Sequence, residues 1–206
     1  MDIEVEVNIQ DDFWQSELAR ENNSSILSDY PQPLISVSQW QQWFSQWLKL
    51  VSTDLPPAAS YELSLRLSCD EGIGILNAQY RHQNKPTDVL AFASLEANLP
   101  HCDECLQSQP LYLGDIVISV NTALSQAQQK RHSLKTELAW LASHGCLHLL
   151  GWDHPDLDSF NRMINQQVTL LQAINLEVNS DLPESAQYGS PKAARSQLIF
   201  HSVEVN

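Results

Sequence analysis

Residues 3–9 alternate strictly, with Ile3, Val5, Val7 and Ile9 set against Glu4, Glu6 and Asn8. A period of two predicts a strand with one face on a core, and the acidic residues become its solvated face. Residues 61–69 repeat the pattern, with Tyr61, Leu63, Leu65, Leu67 and Cys69 on the apolar side. The run DVLAFA (88–93) is too continuously apolar to alternate and predicts a strand buried on both faces. YLGDIVIS (112–119) predicts a fourth strand, interrupted at Gly114 and Asp115.

Between these runs the period changes to that of a helix. Ser38 and Gln41 form a capping-box pattern ahead of Trp40, Trp43, Phe44, Trp47 and Leu48. The Trp stripe has the form of a stacking platform for bases, but its spacing is what a packed amphipathic helix needs, so it is assigned to the core. Asp70 is the expected N-cap of a helix with Ile73, Leu76, Asn77 and Tyr80 inward, ending before Pro86. A helix is expected from Asn121 to about Lys130. Another begins near Ser133 as N-cap and is apolar almost all round from Leu134 to Leu150, as befits the buried centrepiece of a domain. The last helix, over 157–174, turns Leu157, Phe160, Ile164, Val168, Leu171 and Ile174 inward. Residues 94–110 read as a polar loop or insertion, and 180–206 as a loose tail lacking periodicity. The expected architecture is α+β: a mixed sheet of about four strands packed against about five helices, with residues 1–179 as a single domain.

Charge modifies this picture. The 206 residues carry 25 acidic and 11 basic side chains, a formal net charge of -14. That disfavours a generic nucleic-acid coater, which needs Lys and Arg to neutralise phosphates. The excess is uneven, however. Residues 1–30 hold eight acidic side chains and one Arg, whereas 79–135, with Arg81, Lys85, Lys130, Arg131 and Lys135, has five of each sign. No apolar run is long enough to span a membrane, and the acidic start is the opposite of a signal peptide, so a cytoplasmic location is expected. Four cysteines are too few for a disulfide scaffold. Cys102 and Cys105 form half of a zinc-ribbon pattern with no second half, which favours an exposed pair of thiols, and Cys146 reads as packing.

The chemistry lies in HGCLHLLGWDH (144–154). His144 and His148 are i and i+4 on the buried helix, so both rings leave one face a turn apart. Gly151 can end the helix in the left-handed conformation and let His154 return to the same point. Three neutral imidazoles make a metal face, and zinc is the natural ion, with a fourth position left for water. The spacing resembles the extended zincin motif, but Gly145 occupies the position of the general base, so a peptidase would lack its carboxylate.

The same segment resembles the hallmark HGxLHLxGxDH of the YbeY endoribonuclease and rRNA maturation factor family. His144, Gly145, Leu147, His148, Leu149, Gly151, Asp153 and His154 match every fixed position. LNAQYRHQNKPTDVLAF (76–92) is similar to the family's LNxxYRxxxxPTDVLSF, and LGDIVIS (113–119) to its LGDIxIS segment. The resemblance covers about 70–175 and departs at Ala91, at the 94–110 insertion, in the acidic start and in the tail. It implies a metal-dependent, single-strand-specific endoribonuclease acting on rRNA and the small ribosomal subunit precursor, and the three-imidazole face makes the expected metal one zinc per chain. The implied roles include maturation of the small-subunit 3′ end and ribosome quality control, without DNA or membrane partners. It also places Arg81 in the active-site cleft, where a guanidinium fork suits phosphate. Asp88, Asp115 and Asp153 are weaker candidates for orienting a ligand ring, and Asn77, Tyr80 and Thr87 for structural or cleft-lining roles. Two alternatives stay open: a ribosome assembly factor with a structural metal, and a zincin-like peptidase.

Overall fold

A computed structural model describes residues 3–15, 33–94 and 109–177, and the backbone of 198–200. Five strands form one mixed sheet in the order β1-β2-β4-β3-β5. They are β1 (Val5–Asp11), β2 (Tyr61–Ser68), β3 (Val89–Ala93), β4 (Leu111–Ser119) and β5 (Leu198–Phe200). β1, β2 and β4 run parallel, β3 is antiparallel to β4, and β5 is parallel to β3. The helices are α1 (Asp12–Gln15), α2 (Val37–Leu50), α3 (Asp70–Arg81), α4 (Val120–Lys130), α5 (Leu134–Leu149) and α6 (Leu157–Ala173). This is the expected α+β class.

The two faces of the sheet are unequal. Val5, Val7, Leu63, Leu65, Ala91, Ile116 and Ile118 point into the main core, where α2, α4, α5 and α6 pack. Leu90, Phe92 and Val117 point the other way and meet Ile73 of α3 with Leu76 beside it. Being covered on both sides, β3 is buried along its whole length, as its unbroken apolar run predicts. α5 lies deepest: every residue from Thr136 to Leu149 is buried. The Trp stripe belongs to this core. Trp40 and Trp47 are fully buried, and Trp47 Nε1 donates to the Leu170 carbonyl on α6 at 2.9 Å.

Several local expectations are corrected. α2 is capped by Ser36, whose hydroxyl accepts from Gln39 N–H, because Ser38 already lies inside the first turn. α3 is capped by the Cys69 sulfur, which accepts from Gly72 N–H, and this frees Asp70 to accept from the hydroxyls of Ser119 and Thr122. That contact joins the starts of α3 and α4. β4 is not interrupted at Gly114 and Asp115. It absorbs Leu113 as a bulge, since Glu62 pairs with Tyr112 and Leu63 already with Gly114. Gly114 takes φ 134° there, and a Cβ would sit 2.1 Å from the Phe92 carbonyl oxygen. Leu157, expected inward, is 59% exposed at the first turn of α6, and Tyr80 is 44% exposed.

β5 lies within the stretch expected to be loose. Its backbone pairs with Ala91–Ala93, the side of β3 that would otherwise present open hydrogen-bonding groups. The rest of that stretch, most of the 94–110 insertion with Cys102 and Cys105, and residues 16–32 of the acidic start lie outside the described residues. Among the described residues, no helix is long and apolar enough to cross a membrane.

Candidate metal centre

The site is built by the end of α5 and the turn that follows. Ser133 caps the helix start by accepting from Thr136 N–H, which fixes the phase of the 16 residues that carry His144 and His148. At the other end, Gly151 N–H donates to His148 O and Trp152 N–H to Leu147 O, both at 3.0 Å. This is a Schellman arrangement, and it requires the left-handed φ of 82° that Gly151 adopts. The turn is braced by the Trp152 indole, which donates to Asp54 at 3.0 Å. It reverses the chain so that His154, five residues past the last helical one, returns to the ligand face.

His144, His148 and His154 are all buried, and their ligand nitrogens lie within 4.8 Å of one another. The Nε2 atoms of His144 and His148 are 3.0 Å apart, and those of His148 and His154 are 3.3 Å apart. Nitrogens about 2.05 Å from a tetrahedral zinc would stand roughly 3.3 Å apart, so the spacing fits a metal. The protonation pattern fits as well. His148 Nδ1 donates to the Trp152 carbonyl at 2.8 Å, and His144 Nδ1 to Gln167 Oε1 at 3.0 Å. Each of these rings then presents an Nε2 lone pair to the centre. The C-terminal end of a helix also favours a cation.

Burial keeps His148 and His154 neutral. Burial, then the neighbouring His144 and His154, hold His148 well below the ordinary imidazole range, and Arg81 adds to the depression. Burial likewise lowers His154. A neutral ring is the form that binds a metal. The influence of Arg81 on His148 brings the last turn of α3 into the electrostatic environment of the triad. Arg81 is half-buried, which weakens its hold on its proton, and Asp88 opposes that shift. The turn behind it is held by Asn77, whose amide donates to the Lys85 carbonyl at 2.7 Å.

Gly145 also has a structural reason. A Cβ there would lie 2.8 Å from the Ile116 side chain of β4, so any larger residue at that position requires the buried Ile116 to shift. A zincin-type glutamate would have to displace it.

The ring-orienting acceptors are a glutamine and a carbonyl instead of the three aspartates singled out in the sequence. Asp115 accepts from the Tyr112 hydroxyl, Asp153 from His154 N–H, and Asp88 from Val89 N–H and Gln126 Nε2. Gln167 was not anticipated. Its one sequence signal is that it shares the inward face of α6 with Phe160, Ile164 and Leu171. Asn77 is structural, Tyr80 packs edge-on against Phe92 at 5.2 Å, and Cys146 is buried in the core.

Comparison with known proteins finds relatives over most of the chain. The model of the family described as endoribonuclease YbeY matches residues 28–175. Proteins named "Endoribonuclease YbeY" from Nostoc and Trichormus variabilis are 54% and 52% identical over 177 residues. Those alignments cover 86% of this chain and 94% and 98% of the relatives. One from Trichodesmium erythraeum is 51% identical, covering 82% of this chain and 93% of the relative. A solution structure of a Thermotoga maritima protein is 20% identical with a TM-score of 0.45, covering 82% of this chain and 88% of that one. With the family model spanning both the α3 turn and the histidine face, and relatives above half identical over nearly their whole length, the chain belongs to the endoribonuclease YbeY family.

Proposed function

We propose that the chain is a zinc-dependent, single-strand-specific endoribonuclease acting in the cytoplasm on the rRNA of the small ribosomal subunit precursor. Its role would include maturation of the 3′ end of small-subunit rRNA and ribosome quality control. The observation that carries this reading is the convergence of three buried imidazole Nε2 atoms, two of them fixed as acceptors by Gln167 and the Trp152 carbonyl. His144, His148 and His154 would hold one zinc per chain. When bound, such an ion supplies Lewis-acid activation at neutral pH. Gly145 means that no carboxylate on that turn takes a proton. Arg81 would stabilise the negative charge that develops on the phosphodiester, in a half-buried setting where a charge acts more strongly than in water.

The surface charge sets a limit on this reading. With a net charge of -14, the protein depends on a local cationic cleft and on presentation of the rRNA end by a ribosomal particle. Binding to free RNA is therefore expected to be weak and salt-sensitive.

The test combines metal analysis of the purified protein with cleavage of single-stranded rRNA fragments and 3′-end mapping in depleted cells. One equivalent of zinc, cleavage, and unprocessed 3′ ends on depletion are expected. Arg81→Ala should cut turnover on the order of 10²–10³-fold with metal content unchanged. No cleavage by protein carrying one equivalent of zinc, with the His148→Ala variant behaving identically, would overturn the nuclease reading. Unchanged rRNA maturation by Arg81→Ala in cells, with metal-free protein that unfolds, would favour an assembly factor with a structural metal.

A further inference from the structure

We infer that Gln167 is a positioning residue for His144: its amide fixes the ring as the Nδ1–H tautomer and so keeps Nε2 open to a metal. The consequence for metal binding rests on the metal reading proposed above, whereas the tautomer itself does not.

Gln167 is fully buried on α6 and spans two groups of α5. Its Nε2 donates to the Trp140 carbonyl at 3.2 Å, and its Oε1 lies 3.0 Å from His144 Nδ1. The Trp140 carbonyl can only accept. Turning the amide over would set two oxygens against each other and put the NH₂ on the ring, so the carbonyl contact decides which way the amide faces. Oε1 also can only accept. His144 must then carry its proton on Nδ1.

The choice matters because His144 has a competing partner. His148 Nε2 lies 3.0 Å from His144 Nε2, and the His148 proton is already committed at Nδ1 to the Trp152 carbonyl. Left alone, His144 could protonate at Nε2 and donate to His148, closing the pair with a hydrogen bond across the ligand face. Gln167 opposes that state, which would put the His144 Nδ1 lone pair against Oε1. His154 has no such control, since its Nδ1 is buried without a hydrogen-bond partner among the described residues. Two of the three nitrogens are thus arranged before any ion arrives, one by backbone and one by Gln167.

The experiment is nitrogen NMR of the full-length, metal-free protein with labelled histidine, above the ordinary imidazole range, with His144 assigned through His144→Asn. Zinc affinity is measured alongside by chelator competition. Wild type should show His144 protonated at Nδ1. Gln167→Met should move it toward Nε2 and weaken zinc binding about 10–100-fold, and Gln167→Glu, which keeps an acceptor, should hold the Nδ1 proton. His144 protonated at Nε2 in wild type would overturn the inference, and that spectrum needs no variant to fold. An unchanged tautomer in Gln167→Met would overturn it as well. Wild type with the Nδ1 proton in place but no zinc uptake would support the role of Gln167 while removing the metal reading.

Discussion

At its first turn α5 buries Glu137 against Lys130, whose Nζ lies 2.8 Å from Oε1, and against His132, which contacts Oε2. At its last turn it buries His144 and His148 with their Nε2 atoms 3.0 Å apart. Both ends carry polar groups deep in the protein, where an unpaired one is costly. The first cluster joins a carboxylate to basic groups, with His132 Nδ1 left without a partner among the described residues. The second brings like acceptors together and is completed only by something positive from outside. Buried polar groups that neutralise one another hold a fold together, whereas buried groups that leave lone pairs facing one another point to a ligand.

That contrast can be broken at either end. The largest effect is expected from His148→Ala, which should abolish metal uptake. Wild type should gain about 4 kcal/mol of stability when zinc exceeds its Kd by roughly a thousandfold, and the variant none, as read from melting with and without the ion. Glu137→Ala should instead cost about 3 kcal/mol in metal-free and metal-loaded protein alike, because it strands buried basic groups. Equal losses of metal binding in the two variants would erase the distinction between the ends. The smallest effect concerns the buried thiol between the ligands. Burial pushes Cys146 up to about 12 from its ordinary 9.0, so the folded state keeps a proton that the unfolded state releases between those values. Stability should therefore fall as pH rises through that window, and Cys146→Ala should flatten the slope in alkaline denaturant titrations.

The sheet, the main helices and the histidine triad were legible because each rests on a periodicity or a spacing within one segment. The alternation at 61–69 and the i, i+4 pair on an apolar helix are local facts. What was not legible depends on contacts across the fold. Gln167 meets His144 23 positions away, and nothing in its neighbourhood on α6 marks it apart from lying on an apolar face. Asp70 makes a sound N-cap on propensity, yet the sulfur of Cys69 takes that role once Ser119 and Thr122 engage the carboxylate. Leu198–Phe200 shows no pattern of its own and joins the sheet through the side of β3. Arg81 is singled out only by motif resemblance, since composition gives a cation at a helix end no distinction.

The contact between Gly145 and Ile116 has an evolutionary consequence. A histidine face with this spacing lies, on paper, one codon-level change from a peptidase, by exchange of Gly145 for glutamate. That path is hindered, because a Cβ at 145 would stand 2.8 Å from the Ile116 side chain, which would have to shift or shrink at the same time. Two positions on different elements would have to change together, and Ile116 is itself fully buried in the core. The helix-to-sheet distance thus acts as a barrier between two neighbouring chemistries, keeping this scaffold from drifting into proteolysis by single steps.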